Sequence, residues 1–475
     1  MNPSSTVGYV PRHATIPPPT APPTAPPTDQ VPPPDPAPRY DAAPRYHRPR
    51  PPADPRSTAR NLHSGILGAD VPVHALIRNH DFQALWISRF FASIGKETAD
   101  VAYPLLILAV TGSATYPGTV GAVQLGVVGF IAITGGALAD RIDRRRLLIA
   151  CDTARVVLLG LFSVLIALDL ASIPLVFVIV VGSAACVGIS EPAALAGIKQ
   201  IVQRSHLTRA TAQNQVRPLG ATVVGTPIGS SLFAVGRAIP FVATALAFTC
   251  SATLLWFIRK PMQAALTGNE DRRHVVAGFR YVVRQPVLLV WMVWVMGSNM
   301  AFNHTGAFLA LIATAKQRGA PESTVGLMLA IAGGGGLVGA MLATTALARL
   351  RASTLFLMAA WSGPVAALAL AVVPGVLPLG FILASVFLRG PIVNALFFAY
   401  VAVLVPDRLQ GRVMGAVMFL SYVAQPIGIF AIGSIFDTGG PIWVFLMMCA
   451  VSTLAALPTL TRRIRRLPAP EEMVA

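Results

Sequence analysis

The sequence predicts an all-α integral membrane protein with twelve transmembrane helices. Three observations carry this: overall hydropathy, the number and length of apolar stretches, and the placement of basic residues. The 475 residues are 54% hydrophobic and 12% charged, with a mean hydropathy of +0.64. A soluble domain carries roughly 25% charged residues. A stretch of about 18 or more apolar residues reads as a membrane helix, because the hydrocarbon core is about 30 Å thick and a helix rises 1.5 Å per residue. Such stretches fall near 82–110, 117–139, 147–168, 172–197, 211–235, 240–258, 286–314, 323–347, 354–373, 377–403, 413–436 and 441–460. Lipid leaves backbone groups no outside partner, so the spans are helices rather than open strands.

A net charge of +17 is the mark of many nucleic-acid binders. Its distribution argues for a membrane topology instead. Basic residues gather in every second connection: Arg141, Arg144, Arg145 and Arg146; Lys199, Arg204 and Arg209; Arg259 through Arg284. The series continues with Arg349 and Arg351, Arg408 and Arg412, and Arg462, Arg463, Arg465 and Arg466. The alternate connections hold Arg237, Lys316 and Arg318. Positive loops stay cytoplasmic, so both termini are expected inside a plasma or inner membrane, with no nucleic-acid partner.

Residues 1–79 are a separate material. Pro-rich runs such as PPPTAPPTAPPT, and APRY repeated at 37–40 and 43–46, predict a disordered cytoplasmic tail with polyproline character. This region lacks the apolar core of a cleavable signal. Cys151, Cys186, Cys250 and Cys449 lie in apolar spans, without the spacing of a disulfide framework or metal knuckle. No metal or cofactor is expected. The remaining domains are a six-helix bundle over 80–258, a cytoplasmic linker over 259–285, a second bundle over 286–460 and a cytoplasmic tail over 461–475. The linker contains Asn269-Glu-Asp-Arg-Arg273 and an amphipathic piece from Val275 to Val283, which suits a membrane surface. Thr226-Pro-Ile-Gly229 in span five is echoed by Gln425-Pro-Ile-Gly428 in span eleven. Each follows a basic loop, which points to two pseudo-symmetric six-helix halves.

The most specific stretch is Gly136-Ala-Leu-Ala-Asp-Arg-Ile-Asp-Arg-Arg-Arg146, between spans two and three. It resembles the loop between the second and third helices of major facilitator superfamily transporters. Phe82 through Gly112, the A-D-R-x-D-R-R-R run, Asp152 with Arg155, and Gly411-Arg412-Val413 resemble the drug:proton antiporter branch that includes macrolide exporters and the enterobactin exporter. Asp143 departs from the superfamily pattern, which has glycine there. The resemblance covers about residues 80–460. It implies a cytoplasmic latch of Gly136, Asp140, Arg141, Arg144, Asp152, Arg155 and Glu191. Asp140 is expected at the amino end of span eleven, where free N–H groups and the helix dipole favour an anion. The arginines would pair with Glu191 or Asp152. Alternatively they serve only topology.

Gly220, Gly225, Pro227 and Gly229 in span five resemble the antiporter motif of spaced glycines and a helix-bending proline, with Thr226 interposed. Small residues also serve ordinary helix packing. The Gly333–Gly336 run has no following Lys-Ser or Lys-Thr, so it is no phosphate loop.

The sharpest chemistry lies in span one. Arg89, Lys96 and Asp100 fall within about 40° of one another at 100° per residue, with Tyr103 near the stripe and Glu97 at its flank. Ionisable residues inside the membrane are costly and normally pair, facing a wet cavity. Low-dielectric surroundings favour the neutral form of a carboxylate, which is what carrying a proton needs. Glu97 or Asp100 is therefore the expected proton carrier, with Lys96 or Arg89 as counter-charge; the alternative is a static brace. His304 is a further candidate, as a side chain that titrates near neutrality. Span seven adds Asn299 and Asn303, and span ten adds Arg389 and Asn394. The resemblance makes these cavity residues, and Arg389 should need an acidic partner. Phe302, Phe308, Phe397, Phe398 and Tyr400 could wall a lipophilic site or face lipid.

Together these readings predict a monomeric secondary transporter, not an enzyme. It would export a lipophilic or amphiphilic small molecule, such as a drug, antibiotic or siderophore, in exchange for protons. An importer on the same fold and a non-transporting membrane scaffold are the alternatives.

Overall fold

The computed structural model describes residues 78–203, 206–263 and 275–465. The proline-rich repeats, Asn269–Arg273 and Arg466 lie outside them. All described residues belong to one compact unit, and they contain helices but no strand.

Span one is α1, His80–Thr111. The Asn79 side chain accepts from Phe82 N at 3.1 Å and opens it. Gly112, at φ 68°, closes it in a left-handed conformation that costs a glycine little. There follow α2 (Thr115–Arg141), α3 (Arg144–Ala167), α4 (Ile173–Ile201), α5 (Leu207–Val235) and α6 (Ile239–Trp256). Asp143 caps α3 by accepting from Arg146 N at 2.9 Å. That gives a local reason for an aspartate where the superfamily pattern has glycine. Proline stands in the first turn of α4 and α6, where its missing donor costs nothing.

The amphipathic α7 (Val275–Arg284) packs on a later helix rather than standing alone: Gly278 lies against the Arg412 backbone, and Tyr281 donates to Leu404 O. Span seven is broken into α8 (Pro286–Phe302) and α9 (His304–Gln317). Asn303 makes the break. Its backbone is extended, and its side chain accepts from Gly306 N at 2.7 Å to restart the helix. Then come α10 (Glu322–Arg349), α11 (Ala352–Val372) and α12 (Leu377–Leu404). Span eleven is divided into α13 (Asp407–Val423) and α14 (Gln425–Gly439), and α15 (Pro441–Ala456) follows. The two echoed motifs differ here: Thr226-Pro-Ile-Gly229 sits inside an unbroken α5, whereas Gln425-Pro-Ile-Gly428 begins a new helix.

Eleven segments are long and apolar enough to cross a membrane by length and composition, counting α8 with α9, and α13 with α14. The 32-residue α1 has the length as well, but Arg89, Lys96, Glu97 and Asp100 interrupt its apolar character. The outward surface is apolar: Phe130, Val235 and Val372 are each more than 70% exposed. That surface suits lipid and would be a liability in water.

Glycines bring the helices close. A Cβ on Gly225 would stand 2.7 Å from Glu97 Cβ, and one on Gly229 would stand 2.6 Å from Thr98 O. Gly220 has only ordinary contact, with Phe90 at 3.6 Å. The α10 glycine run is helical and serves packing. Gly335 and Gly339 lie on the α12 backbone at Ala384 and Leu388, and Gly333 lies on Thr222 of α5.

Candidate functional site

The charged residues of α1 form two groups along its length. In the upper group, Lys96 Nζ donates to Asp100 Oδ2 at 2.7 Å and reaches Glu97 Oε1 at 3.4 Å. The first pair is one helical turn apart, a spacing that puts both residues on one face. Gln124 of α2 donates to the other Asp100 oxygen at 2.9 Å. The other Glu97 oxygen, Oε2, lies 3.3 Å from His304 Nε2 at the start of α9. Both carboxylates are largely buried, with about a tenth of each side chain exposed, whereas Lys96 and His304 are about one-third exposed. The break at Asn303 is what places His304 there; Phe387 stacks against its ring and Phe308 packs at a tilt. The Glu97–His304 contact thus joins α1 to α9, helices far apart in the sequence.

The lower group is a separate network. Arg89 donates to Asp152 Oδ2 and, at 2.7 Å, to Ser251 Oγ. Ser251 also donates to Asp152 Oδ2 at 2.6 Å. Arg89 lies seven residues from Lys96, roughly 10 Å along the helix, and Asp152 is its counter-charge rather than Glu97 or Asp100. Asp152, expected in the latch, is fully buried here. Glu191 faces Arg217 of α5 at 3.5 Å. Arg217 also donates to Arg89 O at 3.0 Å. Sequence reasoning missed Arg217; the available signal was a lone cation within span five.

For the latch itself, the side chains of Gly136, Asp140 and Arg141 lie outside the described residues. Arg144 donates to Ala196 O and Met262 O. Arg145 donates to Leu255 O at 2.9 Å and Trp256 O at 2.6 Å, at the carboxyl end of α6, where free carbonyls attract a cation.

In the C-terminal helices, Asn299 donates to Ser421 O at 2.9 Å. Gln425 donates to the same carbonyl at 2.8 Å, so both side chains serve the break in span eleven. Asn394 is exposed. Arg389 has no carboxylate partner among the described residues. It donates to Ala359 O, to Ser298 Oγ at 3.0 Å, to Ser362 Oγ at 3.2 Å and to Val386 O at 3.2 Å. Its guanidinium also lies over the Trp294 and Phe302 rings. Neutral acceptors and π faces therefore take the place of the expected acid. Phe302, Phe308, Phe397 and Tyr400 are buried, and Phe398 is exposed.

Near the arginine-poor end of the helices, Asp437 of α14 accepts from Ala114 N at 2.7 Å, Thr115 N at 2.8 Å, Thr115 Oγ1 at 2.6 Å and Ser113 Oγ. One carboxylate thus caps the start of α2 from another helix. Four residues further in, a Cβ on Gly118 would stand 3.0 Å from Gly433 Cα, so α2 and α14 touch closely. Below this seam, Lys96, Asp100, Tyr103, Gln124, Arg155 and Phe248 line a small cleft of about 10 Å³, room for about one water. Among the described residues, no cluster of three or more His, Cys, Asp or Glu could hold a metal ion.

Long apolar helices with charged groups sequestered in their interior are the architecture of a multi-pass membrane protein. Residues 85–429 match the Major Facilitator Superfamily, and the chain belongs to that family. Its fold is similar to that of a point mutant of the nucleoside transporter NupG, with 11% identity, TM-score 0.65, and coverage of 83% of this chain and 100% of the other. A D-xylose–proton symporter gives 14% identity, TM-score 0.61, and coverage of 82% and 98%. A bacterial homologue of the iron transporter ferroportin in its inward-facing state gives 16%, 0.60, and 81% and 98%. No curated protein sequence matches the chain.

Proposed function

We propose that this chain is a proton-coupled exporter of a lipophilic or amphiphilic small molecule, working by alternating access in the plasma or inner membrane. The reading rests chiefly on the Glu97–His304 contact. A protonated imidazole opposite a carboxylate is an ion pair, and this one joins the two halves across the interior. Loss of the proton removes the attraction. Proton occupancy thereby favours the arrangement in which the halves meet at this seam, and deprotonation releases it. Asp100, held by Lys96 and Gln124, is the second carrier. Drugs, antibiotics and siderophores are the candidate cargo, from the resemblance of α1 and the 136–146 loop to drug:proton antiporters. Arginine-rich connections support a cytoplasmic position for both termini, and the Asp140 loop would latch that face.

Everted vesicles with an inside-acid gradient test the reading. Candidate drugs and siderophores are added singly, and substrate-dependent proton efflux is recorded. Efflux should vanish in Glu97→Gln or Asp100→Asn. Normal coupling in both single variants and the double would refute these proton sites. No efflux across a broad panel, with folded protein, would refute proton-driven export.

A further inference from the structure

Two of the four cysteines meet across neighbouring helices, a pairing that their spacing in the sequence does not encode. The thiols of Cys151 on α3 and Cys186 on α4 are in hydrogen-bond contact. Close packing of the two helices accompanies it: a Cβ on Gly182, one turn before Cys186, would stand 3.0 Å from Leu158 Cδ1. Cys151 is buried and Cys186 half-buried. Arg155 lies one turn after Cys151 on the same helix face, and its guanidinium reaches the Cys186 thiol. The sequence resemblance placed Arg155 in the loop latch; here it is 3% exposed, with the Phe248 ring 4.7 Å from the guanidinium carbon. Burying a cation in a membrane protein is costly unless an anion or several acceptors offset it. Among the described residues no carboxylate lies within ion-pair distance of Arg155: Asp152 is held by Arg89 and Ser251, and Asp100 by Lys96 and Gln124. Its Nε and Nη2 atoms have no hydrogen-bond partner. Two adjacent sulfurs thus stand beside one buried positive charge that no acid contacts.

We propose that Cys151 and Cys186 form a two-coordinate binding site for a soft monovalent cation of the Cu(I) type. Thiolate sulfur selects soft cations. Zn²⁺ is a poorer fit, because it takes four ligands and no cluster of three or more His, Cys, Asp or Glu is present among the described residues. The charges balance. Binding deprotonates both thiols, the two protons leave to water, and the resulting bis-thiolate complex of a monovalent cation carries one negative charge. The Arg155 guanidinium beside Cys186 offsets that charge, so the filled site is neutral as a whole, which a low-dielectric interior favours. The space agrees as well. The cleft with room for about one water borders α4 at Ser183 and Val187, on either side of Cys186 in the sequence. A bare ion fits such a gap, whereas an organic molecule does not. The site is distinct from the Glu97–His304 contact and does not depend on proton-driven export.

The test uses the full-length chain in phosphatidylcholine nanodiscs, reduced and free of oxygen at fixed pH, with empty discs subtracted. Cu(I) is offered as its coloured complex with bathocuproine disulfonate, and transfer to the protein is read from the loss of colour. The wild type and a Cys250→Ser/Cys449→Ser double variant should each take up one Cu(I) per chain. X-ray absorption of the loaded protein should show sulfur neighbours in the first shell. Folded Cys151→Ser and Cys186→Ser should each lose that uptake. Arg155→Met should weaken it about tenfold or more, as expected when the charged partner of a buried anion is removed. No uptake by the wild type would overturn the proposal. So would uptake that survives in folded Cys151→Ser or Cys186→Ser, which marks an adventitious ion only, uptake lost in the double variant, or a first shell of nitrogen and oxygen. If either single serine variant fails to fold, the double variant decides, since Cys151 and Cys186 are its remaining cysteines. Phenylarsine oxide closes over two neighbouring thiols with loss of one water. Pretreatment with it must abolish Cu(I) uptake by the double variant, and unchanged uptake overturns the proposal. Binding is read at equilibrium without a gradient, so the site stands or falls separately from proton coupling.

Discussion

Removing the Asp437 carboxylate should open the seam between α2 and α14. Asp437 satisfies two backbone N–H groups and two hydroxyls at the start of α2. Loss of an N-terminal cap costs about 0.5–2 kcal/mol, and an anion at a helix N-terminus adds about 0.3–1 kcal/mol. Asp437 is exposed, so water replaces much of what is lost and solvent screens the charge. About 1–2 kcal/mol remains for Asp437→Ala, a shift of roughly 5–30-fold in the ratio of closed to open seam. Asp437→Asn keeps a good capping oxygen and loses only the charge, so about 0.3–1 kcal/mol is expected. Spin labels at Leu170 and Leu377, in a background without native cysteines, report the separation of the halves at this end by pulsed dipolar spectroscopy. The long-distance population should rise in the order wild type, Asn, Ala. Identical distance distributions in all three would show that the carboxylate caps α2 without contributing to closure, and the argument would fail.

Gly229→Ala places a methyl 2.6 Å from Thr98 O and 3.1 Å from Thr98 Cα, backbone atoms that cannot rotate aside. Overpacking of this kind costs about 1–3 kcal/mol and should lower the melting temperature in detergent, while Gly160→Ala, with nothing within 4 Å, should not. Asn303→Ala removes the cap that restarts span seven, at about 1 kcal/mol. Asn303→Asp should restore thermal stability, and failure of that rescue would argue against the cap. Arg89→Met or Asp152→Leu alone leaves a buried charge and should cost about 3–5 kcal/mol, while the double variant should recover most of it. An additive double mutant in a thermal-melt cycle would contradict the ion pair.

The helices were legible in the sequence because membrane burial imposes a one-dimensional rule, about 20 apolar residues in a row. The breaks were not. Pro227 and Pro426 stand in the same short motif, yet α5 runs through one and span eleven stops before the other. The difference comes from neighbours: Asn299 and Gln425 both donate to Ser421 O, taking up the carbonyl that the break leaves behind. Charge pairing was legible only within one helix. Lys96 and Asp100 are one turn apart, and helical spacing alone brings them together. Arg89 lies on the same stripe but finds its acid on α3, and Glu191 finds Arg217 on α5; no periodicity within one segment encodes either pairing. The same limit explains Gly225. Spacing marks it as a small residue in a membrane helix, but only the packed structure shows that it makes room for Glu97, at the point where α1 presents that carboxylate to His304. A larger residue at 225 would push α1 from α5 and move Glu97 relative to α9. Gly225→Ala should therefore impair proton coupling even where the protein still folds, with every ionisable group intact. If Gly225→Ala folds and couples normally, close approach of α5 is not what positions Glu97.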